Sequence, residues 1–543
     1  MSSTSLSPSL LSSSSSLSPS CLKYAILMAI ITVVFSRETS SSYVSGNSFK
    51  NSSGSAVGVV ASDDNGKDSW SGSRRKRSLD ADYFKNEHVY CVIIDAGSSG
   101  SRIYIYSWKT DFVRDGEALP RLEVSAVARK DGGVHKQFVE KSANNMQDYL
   151  SPLMNHAKEN IPENQHKSTD LYFMATAGMR LLVKNADAAI DQIRSVLSMK
   201  SFNPFKYKPE NIKILSGEQE GVFAWVSVNY HKKVFARRGV RANKTFGLLE
   251  MGGASTQIAF IPRGSILNNL YPVRIAGVHY SVYVKSFLQF GTDYVSKKIS
   301  NMVCSKKFEM DDKCDNPCFI KDGINLVNLG FTRNFSGQAK SFILEGKGNF
   351  ENCQKLMEEV VYKNDNPTKC SPSPCSIGEF YQPPIPNDMK FVGIGGFKHV
   401  YKKLKLLQDD GSLNLDKALK KVEEFCSTGK SDVSEDYSKP DDKTSIYASD
   451  PCQFGLYFDT LLTRGYGFDR QTSNIFIDPD INWTLGAVLY ENEKNVYGFP
   501  PPSSSSSSPS SSFRNAGHAI IMVMKFVSIP TASYLFMSFT RSV

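Results

Sequence analysis

Hydrophobic positions are spread unevenly along the chain, and the unevenness divides it. Residues 1–20 contain twelve serines, and Lys23 is then followed by one apolar run, Tyr24–Phe35. That run is short for a membrane-spanning helix and suits the hydrophobic segment of a signal peptide, or of a signal anchor if Cys21 and Leu22 extend it. Residues 36–73 have no hydrophobic period and are rich in Ser, Gly, Asn and Asp, the pattern of a disordered stalk. From Ala81 to Pro500 the chain becomes a series of apolar runs separated by turn residues. Val89–Ile94 has the length of a buried strand, Ile103 and Ile105 alternate as in a half-buried one, and Leu171–Met174 is another short strand. An apolar helix is expected from Val222 to Tyr230. Residues 501–512 are nine Ser and three Pro, a linker, and Ala519–Phe539 is apolar but interrupted by Lys525 and Pro530. This last stretch fits a poor transmembrane helix, a removed GPI-signal tail or an amphipathic tail.

Composition narrows the classes. With 41% hydrophobic and 22% charged residues, neither a wholly disordered chain nor a polytopic membrane protein fits. The net charge of +10 comes without clustered basic motifs in the body, so nucleic acid is not expected as a partner. Of ten cysteines, eight crowd between Cys304 and Cys452, most simply as four disulfides in an exported chain; Cys91 lies inside a strand run. The sequons at Asn51, Asn243, Asn334 and Asn482 agree with a secretory route. Arg74–Arg77, at the end of the stalk, is a solvated basic cluster in a cytosolic protein and a furin-type cleavage site in a secreted one.

Candidate chemistry enters with an internal repeat. Val92–Ile103 (VIIDAGSSGSRI) and Leu249–Ile258 (LEMGGASTQI) share one order: apolar strand, acid, a turn of small residues, second strand. In both, Gly follows the acid by two and Ile by eight, and the acids Asp95 and Glu250 are 155 positions apart. Gly97, Ser98, Ser99 and Gly100 in one turn, and Gly252, Gly253 and Ala254 in the other, let backbone N–H groups approach phosphate oxygens. A carboxylate at the strand end can hold a divalent cation directly or through water. Two further segments lie between the repeats: a strand running into Ala175-Thr176-Ala177-Gly178-Met179-Arg180, and a turn, Ser216–Gly221, entering the apolar helix. Taken alone, a Glu there is a capping residue.

On these residues the body resembles the ecto-nucleoside triphosphate diphosphohydrolases, the apyrase family, with all five signatures in order: DAGSSGSR (95–102), ATAGMRLL (175–182), SGEQEGVFAW (216–225), LLEMGGASTQI (248–258) and NWTLGAVL (482–489). The resemblance implies an α/β fold of two actin-like, ribonuclease H-like lobes with nucleotide in the cleft between them. It places lobe I at 81–212 and 466–500 and lobe II, with the disulfides, at 213–465. Signal segment and Ser-rich tail (1–37), stalk (38–80) and C-terminal tail (501–543) flank them. The implied activity is hydrolysis of nucleoside tri- and/or diphosphates with Ca²⁺ or Mg²⁺. By the same resemblance Glu220 is the base that activates water, and Ser255 and Gln257 orient that water. Asp95 and Glu250 are the metal-side carboxylates, while Ser98, Ser99, Thr176, Ala177 and Gly253 are phosphate-loop positions. Phe397, Tyr401 and Tyr447 are candidates to stack on the base. The implied disulfides are Cys304–Cys318, Cys314–Cys353, Cys370–Cys375 and Cys426–Cys452.

Two positions depart from the family pattern. Glu250 stands where Asp is usual, which implies an altered metal preference with activity kept. Gly100 stands where cell-surface members often have His, a likeness to the soluble branch that often favours diphosphates. Two alternatives remain at this point: a catalytically weak nucleotide-binding surface protein, and an actin-like phosphatase of exopolyphosphatase type. The sequence further implies export, a membrane tether through the N-terminal segment and possible use of the C-terminal tail as another, and release by a furin-type protease near Arg77.

Overall fold

The computed structural model describes residues 88–109, 119–139, 145–182, 185–236, 240–304, 313–333, 339–361, 370–429 and 451–497, and two short paired strands at 525–527 and 534–536. The first lobe is a five-stranded sheet in the order β3-β2-β1-β4-β5, built from β1 (His88–Ala96), β2 (Gly100–Lys109), β3 (Glu123–Asp131), β4 (Asp170–Ala175) and β5 (Ile212–Ile214). Strands β1, β2 and β3 are antiparallel neighbours, whereas β4 and β5 continue parallel to β1. Because side chains alternate along β1, Val92 and Ile94 enter one core and Cys91 and Ile93 another, which is why the apolar run is unbroken. The first of these cores is closed by helices α1 (Val134–Val139), α2 (Asn145–Asn160), α3 (Ala177–Arg180) and α4 (Ala186–Ser198).

Helix α5 (Gly217–His231) follows β5 and is buried almost throughout. The second sheet follows it, from β6 (Gly247–Met251), β7 (Ser255–Phe260), β8 (Leu270–Ile275), β9 (Val278–Leu288), β13 (Phe391–Gly395) and β14 (Ile475–Ile477), in the order β14-β13-β6-β7-β9-β8. Apart from β8 at its edge, this sheet repeats the order and directions of the first, with β6, β7, β9, β13 and β14 in the places of β1 to β5. The expected return to lobe I at 466 is therefore corrected. Tyr466 and Phe468 lie in the second core, and Ile475–Ile477 supplies that sheet's fifth strand.

A three-stranded sheet, β10-β12-β11, is inserted in the second lobe from β10 (Lys313–Asn316), β11 (Ile324–Arg333) and β12 (Ala339–Gly346). The helices of this lobe are α6 (Thr292–Cys304), α7 (Phe350–Val361), α8 (Phe397–Lys403), α9 (Leu415–Cys426) and α10 (Pro451–Thr460). Two disulfides differ from expectation: the pairs are Cys304–Cys314 and Cys318–Cys353, alongside the expected Cys370–Cys375 and Cys426–Cys452. The cause is alternation along β10, which turns Cys314 into a small core shared with Cys304, Phe342 and Leu344. Cys318 instead joins the main lobe core beside Cys353. Cys91 is the free, buried thiol expected.

The last helix, α11 (Trp483–Tyr497), packs on α5 in a core that gathers residues of both sheets. The helices touch at their backbones. Gly486 N–H donates to Ser227 Oγ at 2.7 Å, and a Cβ on Gly486 would lie 1.9 Å from Phe223 O. This crossing joins the lobes through a core shared by both sheets.

Candidate active site

Each hairpin tip closes in the same way: Gly97 N–H donates to Gly100 O at 3.0 Å, and Gly252 N–H to Ser255 O at 2.9 Å. Behind the second tip, N–H groups of Gln289, Thr292 and Asp293 donate to the carbonyls of Ala254, Gly252 and Gly253 at 2.7, 3.0 and 2.8 Å. With its carbonyls tied back, the tip presents N–H groups, the donors an anion needs. Gly291 permits this approach, since a Cβ there would lie 2.4 Å from Ala254 N. The two tips face each other: a Cβ on Gly253 would be 2.7 Å from Ser98 Oγ and 2.8 Å from Asp293 Oδ2. Thr176 and Ala177 adjoin the first tip, with Thr176 N–H donating to Ala96 O at 3.1 Å. Gly396 N–H donates to Met251 O at 2.7 Å in the matching place of the second lobe, so Gly396 is the counterpart of Thr176.

Glu220 is freed from capping by its neighbour. Ser216 and Gln219 form a reciprocal capping box at the start of α5, so Glu220 on the next position turns inward. Its Oε2 accepts from Arg180 Nη1 at 2.9 Å and from Gln257 Nε2 at 3.2 Å. Ser255 Oγ accepts from Gln257 Nε2 at 2.9 Å and from Arg180 Nη2 at 3.1 Å. With both lone pairs engaged, the Ser255 hydroxyl hydrogen is available to a further acceptor. Gln257 Oε1 is buried with no hydrogen-bond partner among the described residues. Glu220, Ser255 and Gln257 therefore come together as expected. Arg180 and Ser286, whose Oγ lies 3.3 Å from Gln257 Nε2, belong to the same network and were not singled out in the sequence.

The acids at the strand ends are charged differently by their surroundings. Burial pushes the Asp95 carboxyl up to about 7, against the pull of Arg102, whose Nη1 is 3.7 Å away; Glu220 adds to the rise and Arg129 opposes it. Burial, then the negative charges of Glu220 and Asp95, push Glu250 well above the usual carboxylate range, with Arg180 opposing. Glu250 Oε2 is buried without a hydrogen-bond partner among the described residues. Glu220 is raised by burial, and Arg180 holds it down through charge and hydrogen bond. Buried acids that raise one another, one with an orphaned oxygen, are what a divalent cation would relieve. Among the described residues no three Asp, Glu, His or Cys side chains form a closed cage, so the residues fit a cation that keeps part of its water shell.

The base-stacking candidates are corrected. Phe397 and Tyr401 are successive turns of one face of α8, stacked on each other at 6.4 Å and packed on Phe458 in the core, so neither reaches the cleft. Tyr447 lies outside the described residues.

A family model described as GDA1/CD39 (nucleoside phosphatase) matches residues 82–499. The chain is 31% identical over 426 residues to ectonucleoside triphosphate diphosphohydrolase 1 of Bos taurus, covering 73% of this chain and 80% of that protein. It is 26% identical over 448 residues to nucleoside-diphosphatase mig-23 of Caenorhabditis briggsae, covering 75% of this chain and 77% of that one. Nucleoside triphosphate hydrolases from Neospora caninum, a crystal structure, match with a TM-score of 0.53 at 16% identity, over 76% of this chain and 95% of that chain, a likeness of fold. The family match spans both sheets, both hairpins and the helix crossing, and the chain belongs to the GDA1/CD39 nucleoside phosphatase family.

Proposed function

We propose that this chain hydrolyses nucleoside tri- and/or diphosphates, with a water activated by Glu220 attacking the terminal phosphorus. The observation that carries this reading is the cluster of polar groups that Glu220, Ser255 and Gln257 form beside the second hairpin. Glu220 and Gln257 Oε1 offer acceptors there and Ser255 offers a hydrogen, the two to four partners that fix a single water. The water oxygen bonds to phosphorus, its proton passes to Glu220, and the bridging P–O bond breaks toward the shortened nucleotide. The N–H groups of the two tips, with Ser98, Ser99, Thr176 and Ala177, receive the phosphate oxygens. Asp95 and Glu250 would hold Ca²⁺ or Mg²⁺, largely through water. Such an ion, when bound, neutralises phosphate charge and polarises the bond to be broken.

The same reading extends to where the chain works. Export is supported by the signal-like run 24–35 and by the exposed sequon residue Asn243. Asn482 is different: its Oδ1 accepts from Thr484 N–H at 3.1 Å and Tyr106 OH at 3.2 Å, so that side chain serves the fold. Asn51, Asn334, the N-terminal apolar run and Arg74–Arg77 lie outside the described residues. Among the described residues no helix is long and apolar enough to cross a membrane. In this reading the tether is the N-terminal apolar run, and release after Arg77 is a furin-type step. The test is orthophosphate release from ATP, ADP, UDP, GDP and polyphosphate, with and without EDTA. Cation-dependent release from nucleotides supports the reading. Release from polyphosphate alone, or from nothing, would overturn it.

A further inference from the structure

The lobes match beyond their hairpins. Strands β3 and β9 are the equivalent third strands, and each leads to a helix laid across its own tip. Gly132 N–H donates to Ser99 O at 3.0 Å and Gln289 N–H to Ala254 O at 2.7 Å, at corresponding positions of the two tips. A glycine without room for a side chain follows in each. A Cβ on Gly133 would lie 2.4 Å from Ser98 O, just as one on Gly291 meets Ala254 N. Two residues beyond these glycines stand His135 and Asp293.

Counted from Gly132 and Gln289, His135 is three residues on and Asp293 four, so the second lobe has one residue more before this place, and the chemistry there differs. The His135 ring packs against Gly133 and Gly178, with Nδ1 buried and unpartnered. Burial, then Lys136 and Lys297, push it down to about 4, so the first lobe contributes an uncharged ring at neutral pH. Asp293 instead brings a carboxylate to where the tips meet, its Oδ2 and Ser98 Oγ both under 3 Å from the point where a Gly253 side chain would begin. Its Oδ1 accepts a long hydrogen bond from Thr292 Oγ1 at 3.4 Å; burial pushes the carboxyl up, while the charge of Lys297, the Thr292 hydroxyl and the charge of Lys136 oppose the rise.

Resting on the nucleotide reading above, we propose that Asp293 is a specificity residue that makes the site select cation-complexed over free nucleotide. A phosphate tail held where Ser98 and Gly253 meet lies close to this carboxylate. In a partly dehydrated cleft the two negative charges repel with little screening. A nucleotide arriving with its cation carries less net charge and meets less of that repulsion. The uncharged His135 beside the first tip does not discriminate, so the selection comes from the second lobe.

The test is calorimetric titration of the full chain with the non-hydrolysable β,γ-imido analogue of ATP, once with excess Mg²⁺ and once in EDTA. Asp293→Asn should tighten binding in EDTA about tenfold, the effect of relieving one close like-charge contact. Binding with Mg²⁺ should change far less. Asp293→Ser, equally neutral, should repeat the result, and Asp293→Glu should keep the wild-type contrast. Binding in EDTA that is unchanged or weaker in both neutral variants would overturn the inference while leaving the nucleotide reading intact. Wild-type protein that binds the analogue in neither condition would overturn both.

Discussion

Hairpin Asp95–Arg102 and hairpin Glu250–Gln257 have one backbone and two sets of side chains. In both, the acid pairs across the strands with the last residue of the repeat, Arg102 opposite Asp95 and Gln257 opposite Glu250. Both also bury a hydroxyl against a tyrosine: Ser101 Oγ with Tyr149 OH at 2.9 Å, Thr256 Oγ1 with Tyr466 OH at 3.0 Å. Two of the differences set the chemistry of the tips. The first hairpin offers Gly100 and a cation, Arg102. The second offers Ser255 and a neutral amide, Gln257, with Glu220 and Arg180 within hydrogen-bond reach. A fixed positive charge suits holding an anion, whereas a hydroxyl, an amide oxygen and a carboxylate suit holding a water. In the proposed reading both hairpins bind phosphate, and the side chains at the Gly100/Ser255 and Arg102/Gln257 positions make only the second one reactive.

That division of labour can be broken at its strongest point first. Glu220→Gln should lower kcat by ~10²–10⁴-fold while nucleotide binding persists, as seen by rapid-quench kinetics beside calorimetry. Near-normal turnover would end the assignment. Arg180→Gln should come next, with losses of up to roughly 10²-fold from misplacing Glu220 and Ser255. It should also carry a pH signature. The base must be ionised to act, so activity is lost as pH falls through its pKa, and Arg180 is what holds that pKa down. Without the guanidinium the acid limb of the pH–rate profile should move to higher pH; an unmoved limb would contradict the role.

Making the first tip resemble the second should fail for a steric reason. A Cβ on Gly100 would lie 2.7 Å from Lys130 O, so Gly100→Ser has to push β3 away. Denaturant titration should show a loss of about 1–3 kcal/mol, the usual cost of overpacking. Unchanged stability would mean that β3 yields freely. The smallest effect is expected from Glu250→Asp, which shortens the unpartnered carboxylate. Activity should persist with a changed ratio between Ca²⁺ and Mg²⁺, and its complete loss would show a loop built around Glu.

The hairpins could be read from the sequence because their chemistry is local: acid, small turn and second strand are contiguous, and the matched register of Asp95 and Glu250 holds in three dimensions. Residues brought in from elsewhere were harder to find. Ser286 and Asp293 reach the second tip from β9 and α6, and His135 reaches the first from α1, none within a motif. Arg180 stood inside a quoted segment, but its partners Glu220 and Ser255 are 40 and 75 residues away, so nothing local marked it. Phe397 and Tyr401 misled because an i, i+4 aromatic pair suits a core as well as a ligand, and burial decides between them. The cysteine pairing turned on which face of β10 carries Cys314, and the boundary at 466 on a three-residue strand too short to leave a pattern.

The central claim is that a water held by the second hairpin attacks the terminal phosphorus. Hydrolysis of ATP in ¹⁸O-enriched water, with the products separated and their isotope content measured, tests it most directly. Label should appear in the released orthophosphate and not in the ADP formed with it, and that labelled phosphate should be lost in Glu220→Gln. Label in the nucleotide product, or labelled phosphate formed at an undiminished rate by the Gln variant, would contradict it.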